Sequence, residues 1–541
     1  MAAPVRTTYE IPEQTELVAK QVYRKGNRYL ALRDELGPIF QDESFAYLFA
    51  VRGKPAESPG NLALVVVVQY MEDLSDRGAA DAVRSRIDLK YLLGLELGDQ
   101  GFDYSVLSEF RSRLVENSAE ALLLETILDL CRKKAWLKAR GKQRTDSTHV
   151  LAAVRSLNRY ELLGETLRHA LNIVAIAHPQ LLQEHASVEW HKRYDRRIEQ
   201  AQLPKSKAAR QAWATQVGAD GVTLLQWVTA AGLQKLPAVQ LLQQVWQQQF
   251  HQDGEHIRLR QAGELPPAAE MIQSPYDSES RYSQKRSTEW DGYKVHLTET
   301  CDPDLPRLIT QVTTTPATRP DCDVTAEIQE DLVKRELTPA QHLVDNGYTD
   351  AELFALSQRH DIDLVGPASA DGSWQAKAGA GFDLASFQID WDNQVATCPA
   401  GQQSGTWSVG TDDFGHESIH VRFRARNCLA CSSRASCTRS ATGPRGLRLR
   451  PQAEHIALQD ARQRERTSSF QETYAIRAGI EGTVSQAVRS MGLRKARYIG
   501  QTKTHLQHLA TAAALNLARL ADCLLGRPTA ATRHSAFAAL A

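Results

Sequence analysis

The stretch GYKVHLTET, residues 292–300, alternates apolar and polar side chains, as a strand with one buried face does. Three further segments have the composition of strands: 307–315 (RLITQVTTT), 341–348 (QHLVDNGY) and 362–367 (IDLVGP). Two segments between them have the spacing of amphipathic helices: 322–337 (CDVTAEIQEDLVKREL) and 350–360 (DAELFALSQRH). Strands and helices that alternate in this order predict an α/β sheet with crossover helices.

The chain on either side of this sheet is predicted to be mostly helical. Residues 40–130 and 150–270 show the spacing of amphipathic helices, with a helix start after Ser75. Residues 370–450 are instead rich in Gly, Ser, Asp and Arg and contain short strand-like pieces. We therefore expect a β-rich insertion between the sheet and the C-terminal helices.

The C-terminal part is predicted to contain two longer helices. Ser469 and Glu472 have the spacing of a capping box, and Gly492 fits the position after a helix end. A single long helix between them is expected, followed by an apolar helix over 504–525.

The overall composition is that of a globular protein. The 541 residues are 42% hydrophobic and 24% charged, which excludes a disordered or collagen-like chain and leaves room for roughly two to four domains. The longest apolar run, residues 62–68, is too short for a bilayer, and the first residues lack the apolar stretch of a secretory signal. Cysteine is sparse, with eight residues. We expect a cytoplasmic protein without disulfides and without a membrane partner.

Positive charge is concentrated at the C-terminal end. The formal net charge of the chain is zero, yet residues 421–541 contain 20 Lys and Arg against 6 Asp and Glu. Residues 421–450 contain eight Arg and no acidic residue. Such a density suits a phosphate backbone, although a solvated basic surface is the alternative.

Three acidic residues are candidates for chemistry. Asp146 lies in KQRTDSTHV, where a strand is expected to give way to a polar turn, and Asp345 follows the apolar end of QHLV. Glu481 is expected on the long helix, on one face with Arg477 and Tyr474. The alternatives are ordinary ones: an Asp often caps a turn, and an Arg and Glu four residues apart often form only a surface salt bridge.

Three carboxylates from two strands and one helix could bind two divalent cations on a phosphodiester. Hard oxygen ligands suit Mg²⁺, and Mn²⁺ accepts the same ligands. Two such ions can activate an attacking oxygen and stabilise a leaving one. From the residues alone, the prediction is a metal-dependent enzyme that acts on nucleic acid.

The chain resembles the DDE transposases of bacterial insertion sequences, in the branch with a helical N-terminal domain and a Cys-containing insertion before the final Glu. The resemblance covers nearly the whole chain, and the spacing Tyr474-x2-Arg477-x3-Glu481 is its most specific element. The family often has a basic residue seven positions after the Glu. Here that position is Val488, and Arg489 is the nearest substitute. Further matching segments are LALVVVVQYMEDLSDRGAADAVRSRIDLKYLLGL, FDYSVLSEFRSRL, TDSTHV, SPYDSESRYSQKRSTEWDGYKVHLTET, LITQVTTTPAT, VDNGYTD and YAIRAGIEGTVSQAVRSMGLRKARYIG.

The resemblance implies an RNase H-like catalytic core in which Asp146, Asp345 and Glu481 hold two Mg²⁺ ions. It also implies a transposase that cleaves DNA at the element ends and joins the freed 3′-hydroxyl to target DNA. By the same resemblance, Tyr474 and Arg477 contact DNA phosphates. The basic turn LRKARYIGQTK, residues 493–503, follows Arg489 and adds further candidates for DNA contact: Arg494, Lys495 and Arg497.

The family and the changes of pattern together predict the domain organisation. The expected units are an all-α DNA-binding domain (1–138), the first part of a mixed-sheet core with flanking helices (139–160 and 280–370), a helical insertion (161–279), a β-rich Arg/Cys insertion (371–455) and C-terminal helices that complete the core (456–541). The partners implied are double-stranded DNA, both as terminal inverted repeats and as target, and a second copy of the chain on DNA. The protein is then expected to be associated with the nucleoid when it is bound to DNA.

Four cysteines cluster in the β-rich insertion and could bind a structural Zn²⁺. They are Cys398, Cys428, Cys431 and Cys437. The Cys-x2-Cys pair has the spacing of a zinc knuckle, but the full spacing is not that of a standard finger, and buried reduced thiols are the alternative.

Two further residues are supporting candidates. Trp290 could stack on an unpaired base, although such a Trp more often belongs to the core. His149 could orient a water or a phosphate, or serve only as a hydrogen-bonded structural residue.

Two other functions stay open: a metal-dependent nuclease of the same fold that does not join strands, and a non-catalytic DNA-binding protein derived from a transposase.

Overall fold

The chain begins with a series of helices. The computed structural model describes residues 9–253, 256–412, 415–527 and Phe537. The first helices are α1 (Glu13–Val22), α2 (Arg28–Leu36), α3 (Pro59–Met71), α4 (Asp76–Ser85), α5 (Ile87–Leu93), α6 (Ser105–Glu116) and α7 (Leu122–Lys133), with a 3-10 helix over Asp42–Leu48. The Ser75 hydroxyl accepts a hydrogen bond from the Gly78 N–H, so the start of α4 is as predicted.

The next part of the chain is one strand followed by a helical unit. Its elements are β1 (Lys142–Leu151), α8 (Arg159–Ala177), α9 (Pro179–His185), α10 (Val188–Tyr194), α11 (Lys207–Ala230), α12 (Pro237–Gln249), and the hairpin strands β2 (Phe250–Asp253) and β3 (His256–Leu259), with 3-10 helices over Gln200–Gln202 and Ala262–Glu264. These helices bury a hydrophobic core of their own, which includes Leu163, Val217 and Val245. The hairpin was not predicted from the sequence.

The central sheet is mixed, as the sequence predicts. After β1, its part of the chain contains β4 (Arg281–Lys285), β5 (Thr288–Thr300), β6 (Ile309–Pro316), α13 (Cys322–Lys334), β7 (Gln341–Leu343), a 3-10 helix (Asn346–Tyr348), α14 (Ala351–Arg359) and β8 (Asp363–Val365). The strand order is β4-β5-β1-β7-β8, and β6 also pairs with β5. The pairings of β5 are antiparallel, whereas β7 and β8 run parallel to β1.

A β-rich segment follows the sheet. It contains α15 (Trp374–Ala378), a 3-10 helix (Leu384–Ser386), β9 (Gln388–Asp390), β10 (Val395–Thr397), β11 (Ser404–Thr411), β12 (Glu417–Phe423), α16 (Ala425–Leu429), α17 (Arg434–Cys437) and β13 (Gly446–Leu449). The strands form a two-stranded and a three-stranded antiparallel sheet. Its fully buried apolar core is small and includes Phe387, Val421 and Leu449.

The C-terminal helices differ from the prediction in two respects. They are α18 (Gln452–Glu465), α19 (Ser468–Ala475), a 3-10 turn (Ile476–Ala478), α20 (Gly479–Ser490) and α21 (Gln501–Leu524). The capping box predicted at Ser469 and Glu472 is wrong, because the Thr467 hydroxyl caps α19 by accepting from the Phe470 N–H. The single long helix is also wrong, since a 3-10 turn separates α19 from α20. Gly492 has a φ of 63° after the end of α20, as predicted.

Helix α21 lies in the shared core of the N-terminal helices and the sheet. It packs on α2, α3 and α7 as well as on β6. The side chain of Asn516 accepts from the Ile309 N–H and donates to the Ile309 carbonyl, so it binds the helix to the start of β6. One continuous hydrophobic cluster therefore joins α21, the N-terminal helices and the sheet.

The start of α20 lies directly against a buried side chain of β1. Arg144 donates a hydrogen bond to the Ile476 carbonyl, which belongs to the 3-10 turn. A Cβ added at Gly479 would lie 2.1 Å from Nη1 of Arg144, whereas a Cβ at Gly482 would meet nothing within 4 Å. The absence of a side chain at Gly479 thus allows α20 to approach the sheet.

We expect opposite effects from the same substitution at these two glycines. Gly482→Ala should stabilise the protein by about 0.5 to 1 kcal/mol through helix propensity. Gly479→Ala should destabilise it by about 1 to 3 kcal/mol, because the new methyl group displaces the Arg144 guanidinium. Urea unfolding followed by circular dichroism measures both, and equal midpoints for the two variants would contradict the close packing at Gly479.

Candidate active site

Asp146 lies in the middle of β1, not at a strand end as the sequence suggested. Residues 147–150 continue the strand because they pair with His296 to Tyr293 of β5. Alternation along the strand places Asp146 on the same face as Arg144 and Thr148. This face is the one on which α20 packs.

Asp345 lies just beyond the carboxyl end of β7, as predicted. Its Oδ1 accepts a hydrogen bond from the Gly347 N–H at 2.8 Å, so the Asp-Asn-Gly segment does form the expected turn. Because β7 pairs directly with β1, the turn brings this carboxylate beside the one from the middle of β1. Asp345 therefore caps its turn, as an Asp with a purely structural role would, and it also lies next to Asp146.

Arg477 joins the three candidate carboxylates. Its Nη2 atom lies 2.7 Å from Oδ2 of Asp146 and 3.5 Å from Oδ2 of Asp345, and its Nη1 atom lies 3.3 Å from Oε1 of Glu481. The Arg477 side chain is only 14% exposed, whereas that of Glu481 is 67% exposed. The Arg and Glu pair is thus more than a surface salt bridge, because the same guanidinium also contacts two carboxylates of the sheet.

The surroundings affect the charge of Asp146. Burial raises the pKa of this carboxyl above its usual range, and the nearby Asp345 raises it further. The positive charge of Arg477 and the Ser147 N–H oppose that shift. Tyr474, whose ring stacks on Phe470 at 5.5 Å between centroids, has a pKa raised by burial.

The oxygen atoms of the three carboxylates are donors that suit hard divalent cations, although in this structure they surround the Arg477 guanidinium. In the described ranges, no group of three or more His, Cys, Asp and Glu side chains is arranged to hold a metal ion. The three carboxylates instead converge on the Arg477 guanidinium. Oxygen donors gathered around a single positive group are of the type that Mg²⁺ and Mn²⁺ take, so the residues fit such ions in chemistry.

A buried carboxylate that the sequence analysis missed fixes the helix that carries Glu481. Glu299 of β5 is 0% exposed. Its Oε1 accepts from Nε of Arg144 at 2.8 Å, and its Oε2 accepts from Oγ1 of Thr483 at 2.6 Å and from Nη1 of Arg519 at 2.8 Å. Thr483 lies on α20 and Arg519 on α21, so one carboxylate links the sheet to both helices. The sequence did contain a signal for this residue: Glu299 is an acidic side chain on the otherwise apolar face of GYKVHLTET, which it shares with Val295 and Leu297.

The two supporting candidates lie on the other face of the sheet. His149 is three residues from Asp146 along β1, so the two side chains leave opposite faces. The His149 and Trp290 rings are 5.4 Å apart, and burial lowers the pKa of His149. Trp290 is 5% exposed and donates to the Tyr293 carbonyl, which agrees with a core position.

The basic candidates after Glu481 differ in their contacts. Arg489 and Lys495 are exposed. Arg494 donates to the Thr148 hydroxyl at 2.9 Å, and its backbone carbonyl accepts from the Leu151 N–H. Arg497 forms an ion pair with Asp73 and lies over the ring of Tyr70, so it joins the C-terminal segment to the N-terminal helices.

The four clustered cysteines line one small pocket, together with Phe423 and Arg445. Cys398 accepts a hydrogen bond from the Gln402 N–H at 3.3 Å, in a tight turn with Gly401 at a φ of 76°. Burial raises the pKa of the Cys437 thiol, and the other three thiols contribute to that shift. Thiols are ligands that Zn²⁺ prefers, so the chemistry of these four side chains fits a zinc site. Their positions in this structure, however, are not those of a set of metal ligands.

Comparison with known proteins gives two family matches. Residues 397–521 match the family described as Transposase DDE domain, and residues 19–113 match the family described as Transposase domain (DUF772). The resemblance to DDE transposases is confirmed. The first match contains the clustered cysteines and the segment from Tyr474 to Glu481, and the second extends from α1 to α6.

These families indicate a transposase, and they suggest DNA as its partner. No match was found among the curated proteins or among the solved structures. In the parts of the chain that the structure describes, none of the helices has the length and apolar character needed to cross a membrane.

Neutralising Glu299 should be far more costly than neutralising Glu481. Glu299→Gln leaves the buried Arg144 guanidinium without its counter-charge, and removing one partner of a buried pair costs about 3 to 5 kcal/mol. Glu481→Gln, the same chemical change at an exposed position, should alter the free energy of unfolding by less than about 0.5 kcal/mol. Thermal and urea unfolding of both variants check this, and similar losses would show that Glu299 does not hold α20.

Proposed function

We propose that the protein cleaves DNA at the ends of a mobile element and joins the freed 3′-hydroxyl to target DNA. The observation that carries the proposal is the convergence of Asp146, Asp345 and Glu481 on one guanidinium. Arg477 and Asp146 are 331 positions apart in the chain, so the fold and not local sequence brings them together. Carboxylates gathered around one charged partner, of which one has a pKa raised by burial, are a common feature of functional sites.

The proposal includes an RNase H-like core. The mixed sheet supports it, because the long antiparallel pair of β1 and β5 continues into the short parallel strands β7 and β8. The first carboxylate then comes from the central strand and the second from the end of its parallel neighbour. The third comes from a helix that packs on the same face.

Asp146, Asp345 and Glu481 are the residues that would hold two Mg²⁺ or Mn²⁺ ions. When bound, such a pair of ions supplies an activated oxygen nucleophile and neutralises charge on the leaving oxygen. The sheet fixes the two aspartates, while the exposed Glu481 faces the side from which DNA can approach. No covalent intermediate with a side chain is needed.

Several side chains of the chain would bind the DNA itself. We propose that Arg477 and Tyr474 contact phosphates at the cut, and that the exposed Arg489 and Lys495 contact the backbone beyond it. Arg494 and Arg497 have protein partners and are proposed to orient that segment. Trp290 and His149 remain supporting candidates, and a role for Trp290 in base stacking requires it to leave its buried position.

We assign roles in the reaction to the expected domains. The helices within residues 1–138 would help to recognise the terminal inverted repeats, and the insertion over 371–455 would present its arginines to double-stranded DNA. The unit over 161–279 is a helical insertion, and residues 456–541 complete the core. Because two ends are brought together, we propose a homodimer on DNA.

An end-cleavage assay tests the proposal. The protein is given Mg²⁺ and DNA that carries the inverted repeats flanking the gene, and cleaved and joined products are measured. We expect both products from the wild type. Asp345→Ala should abolish cleavage because it removes a metal-binding carboxylate, while end binding is largely kept.

Asp361→Asn is the matched control. Asp361 is exposed and lies just before the amino end of β8, whereas Asp345 follows the carboxyl end of the parallel strand β7. It should cleave and join like the wild type. Cleavage without joining would favour the nuclease, and end binding without cleavage would favour the non-catalytic protein. Full activity of Asp345→Ala would remove this residue from the mechanism.

A structural Zn²⁺ in the β-rich insertion is a second part of the proposal. The clustered thiols and the small apolar core of this segment support it, since a bound metal adds folding free energy where the core is small. The holding residues would be the four cysteines Cys398, Cys428, Cys431 and Cys437.

Metal analysis of the purified full-length protein tests this part. We expect one Zn per chain in the wild type, and loss of most of it together with a lower melting temperature in Cys428→Ser. Cys523→Ser, at an exposed thiol on α21, should keep the metal. Wild-type protein that is folded and free of Zn would contradict the proposal.

A further inference from the structure

We propose that Arg477 competes with divalent cations for the three carboxylates, and that a DNA phosphate relieves this competition by drawing the guanidinium away. Metal ions and DNA ends then strengthen each other's binding. This inference rests on the proposed function, because it takes Asp146, Asp345 and Glu481 as the metal-binding residues.

The contacts of Arg477 support direct competition. One nitrogen, Nη2, contacts Asp146 and Asp345 together, and the other, Nη1, contacts Glu481. The guanidinium therefore lies between the oxygens that a metal ion would need. A positive group at these distances both blocks the oxygens and repels a second cation, and around Arg477 and Asp146, whose side chains are each 14% exposed, that repulsion is only partly screened.

The position of Arg477 also permits it to leave. Its Nε atom is buried and has no hydrogen-bond partner among the described residues, so the guanidinium is only partly satisfied. The backbone is held separately, because Arg144 binds the carbonyl of Ile476. The long side chain can thus change its partner while α20, and with it Glu481, stays in place.

A phosphate is the partner that suits the guanidinium once it moves. The planar donor fork of arginine matches phosphate oxygens, and charge-assisted bonds of this kind are strong. Glu481 is largely exposed, so the carboxylate cluster opens toward the surface from which a phosphodiester would arrive. A backbone phosphate near the cut would therefore bind Arg477 and leave three carboxylates for cations.

Reciprocity follows from thermodynamic linkage. If DNA raises the affinity for the metal by some factor, the metal raises the affinity for DNA by the same factor. Typical couplings between two sites correspond to about 5- to 150-fold, and we expect about tenfold here. Free protein would then hold its metal ions weakly until an end is bound.

Titration with Mn²⁺ followed by electron paramagnetic resonance tests the competition without relying on activity. In the absence of DNA, full-length Arg477→Gln should bind Mn²⁺ about tenfold more tightly than the wild type. Arg477→Lys, which keeps the positive charge, should have an affinity for Mn²⁺ closer to that of the wild type. Arg466→Gln, which removes an exposed charge at the end of α18, should not change the affinity. Circular dichroism verifies that each variant is folded.

The second arm adds a duplex of the inverted repeat that flanks the gene, ended with a dideoxynucleotide so that joining cannot proceed. Saturating duplex should raise the Mn²⁺ affinity of the wild type about tenfold and leave that of Arg477→Gln nearly unchanged, after subtraction of Mn²⁺ bound by the duplex alone. Equal affinities of wild type and Arg477→Gln without DNA, or no rise in the wild type with DNA, would overturn the inference.

Two further variants separate failure of this inference from failure of the proposed function. Asp146→Asn and Asp345→Asn should lose Mn²⁺ binding with and without the duplex. If both bind Mn²⁺ as the wild type does, the ions are held elsewhere, and the proposed function fails. If both lose binding while Arg477→Gln behaves as the wild type, only the competition fails.

Discussion

The buried carboxylate of Glu299 is the interaction on which the candidate site depends. It neutralises Arg144 from the neighbouring strand and Arg519 from α21, and it accepts a hydrogen bond from Thr483 of α20. A charge with no exposure is stable only when such partners surround it. Because those partners come from three elements, satisfying this one group sets where the helix with Glu481 lies relative to the strand with Asp146.

The same arrangement explains why α19 and α20 are separate helices. Arg144 takes the Ile476 carbonyl as an acceptor, and the adjacent Gly479 lets the helix start against the guanidinium. The turn between the two helices then carries Arg477 toward both aspartates. A straight helix through this segment would have kept Arg477 in the simple pairing with Glu481 that spacing alone suggests.

Much of this architecture was predictable from local patterns, and the failures have physical causes. Alternation in GYKVHLTET predicted β5, and the Asn-Gly pair predicted the turn at Asp345, because both signals are local. Asp146 was misplaced at a strand end because the polar residues after it resemble a turn, whereas pairing with β5 keeps them extended. The convergence on Arg477 could not be derived from spacing, since it joins residues from separate strands and a helix. Local residue patterns made the three carboxylates candidates and the family resemblance implied their role, but neither pointed to Glu299 or its partners.

The pairing of Gly292 has a consequence for how this protein can be altered. Leu151, the last residue of β1, and Arg281, the first residue of β4, both pair with Gly292 from opposite sides of β5. Two strand spacings separate them, or roughly 10 Å. The intervening 152–280 stretch thus leaves and re-enters the sheet at nearly one point and keeps most of its apolar contacts to itself. Its helices form a module that a short bridge could replace, provided that the bridge keeps Asp277, which accepts a hydrogen bond from the Tyr293 hydroxyl of β5, and Glu279, which accepts one from the Gln501 N–H of α21.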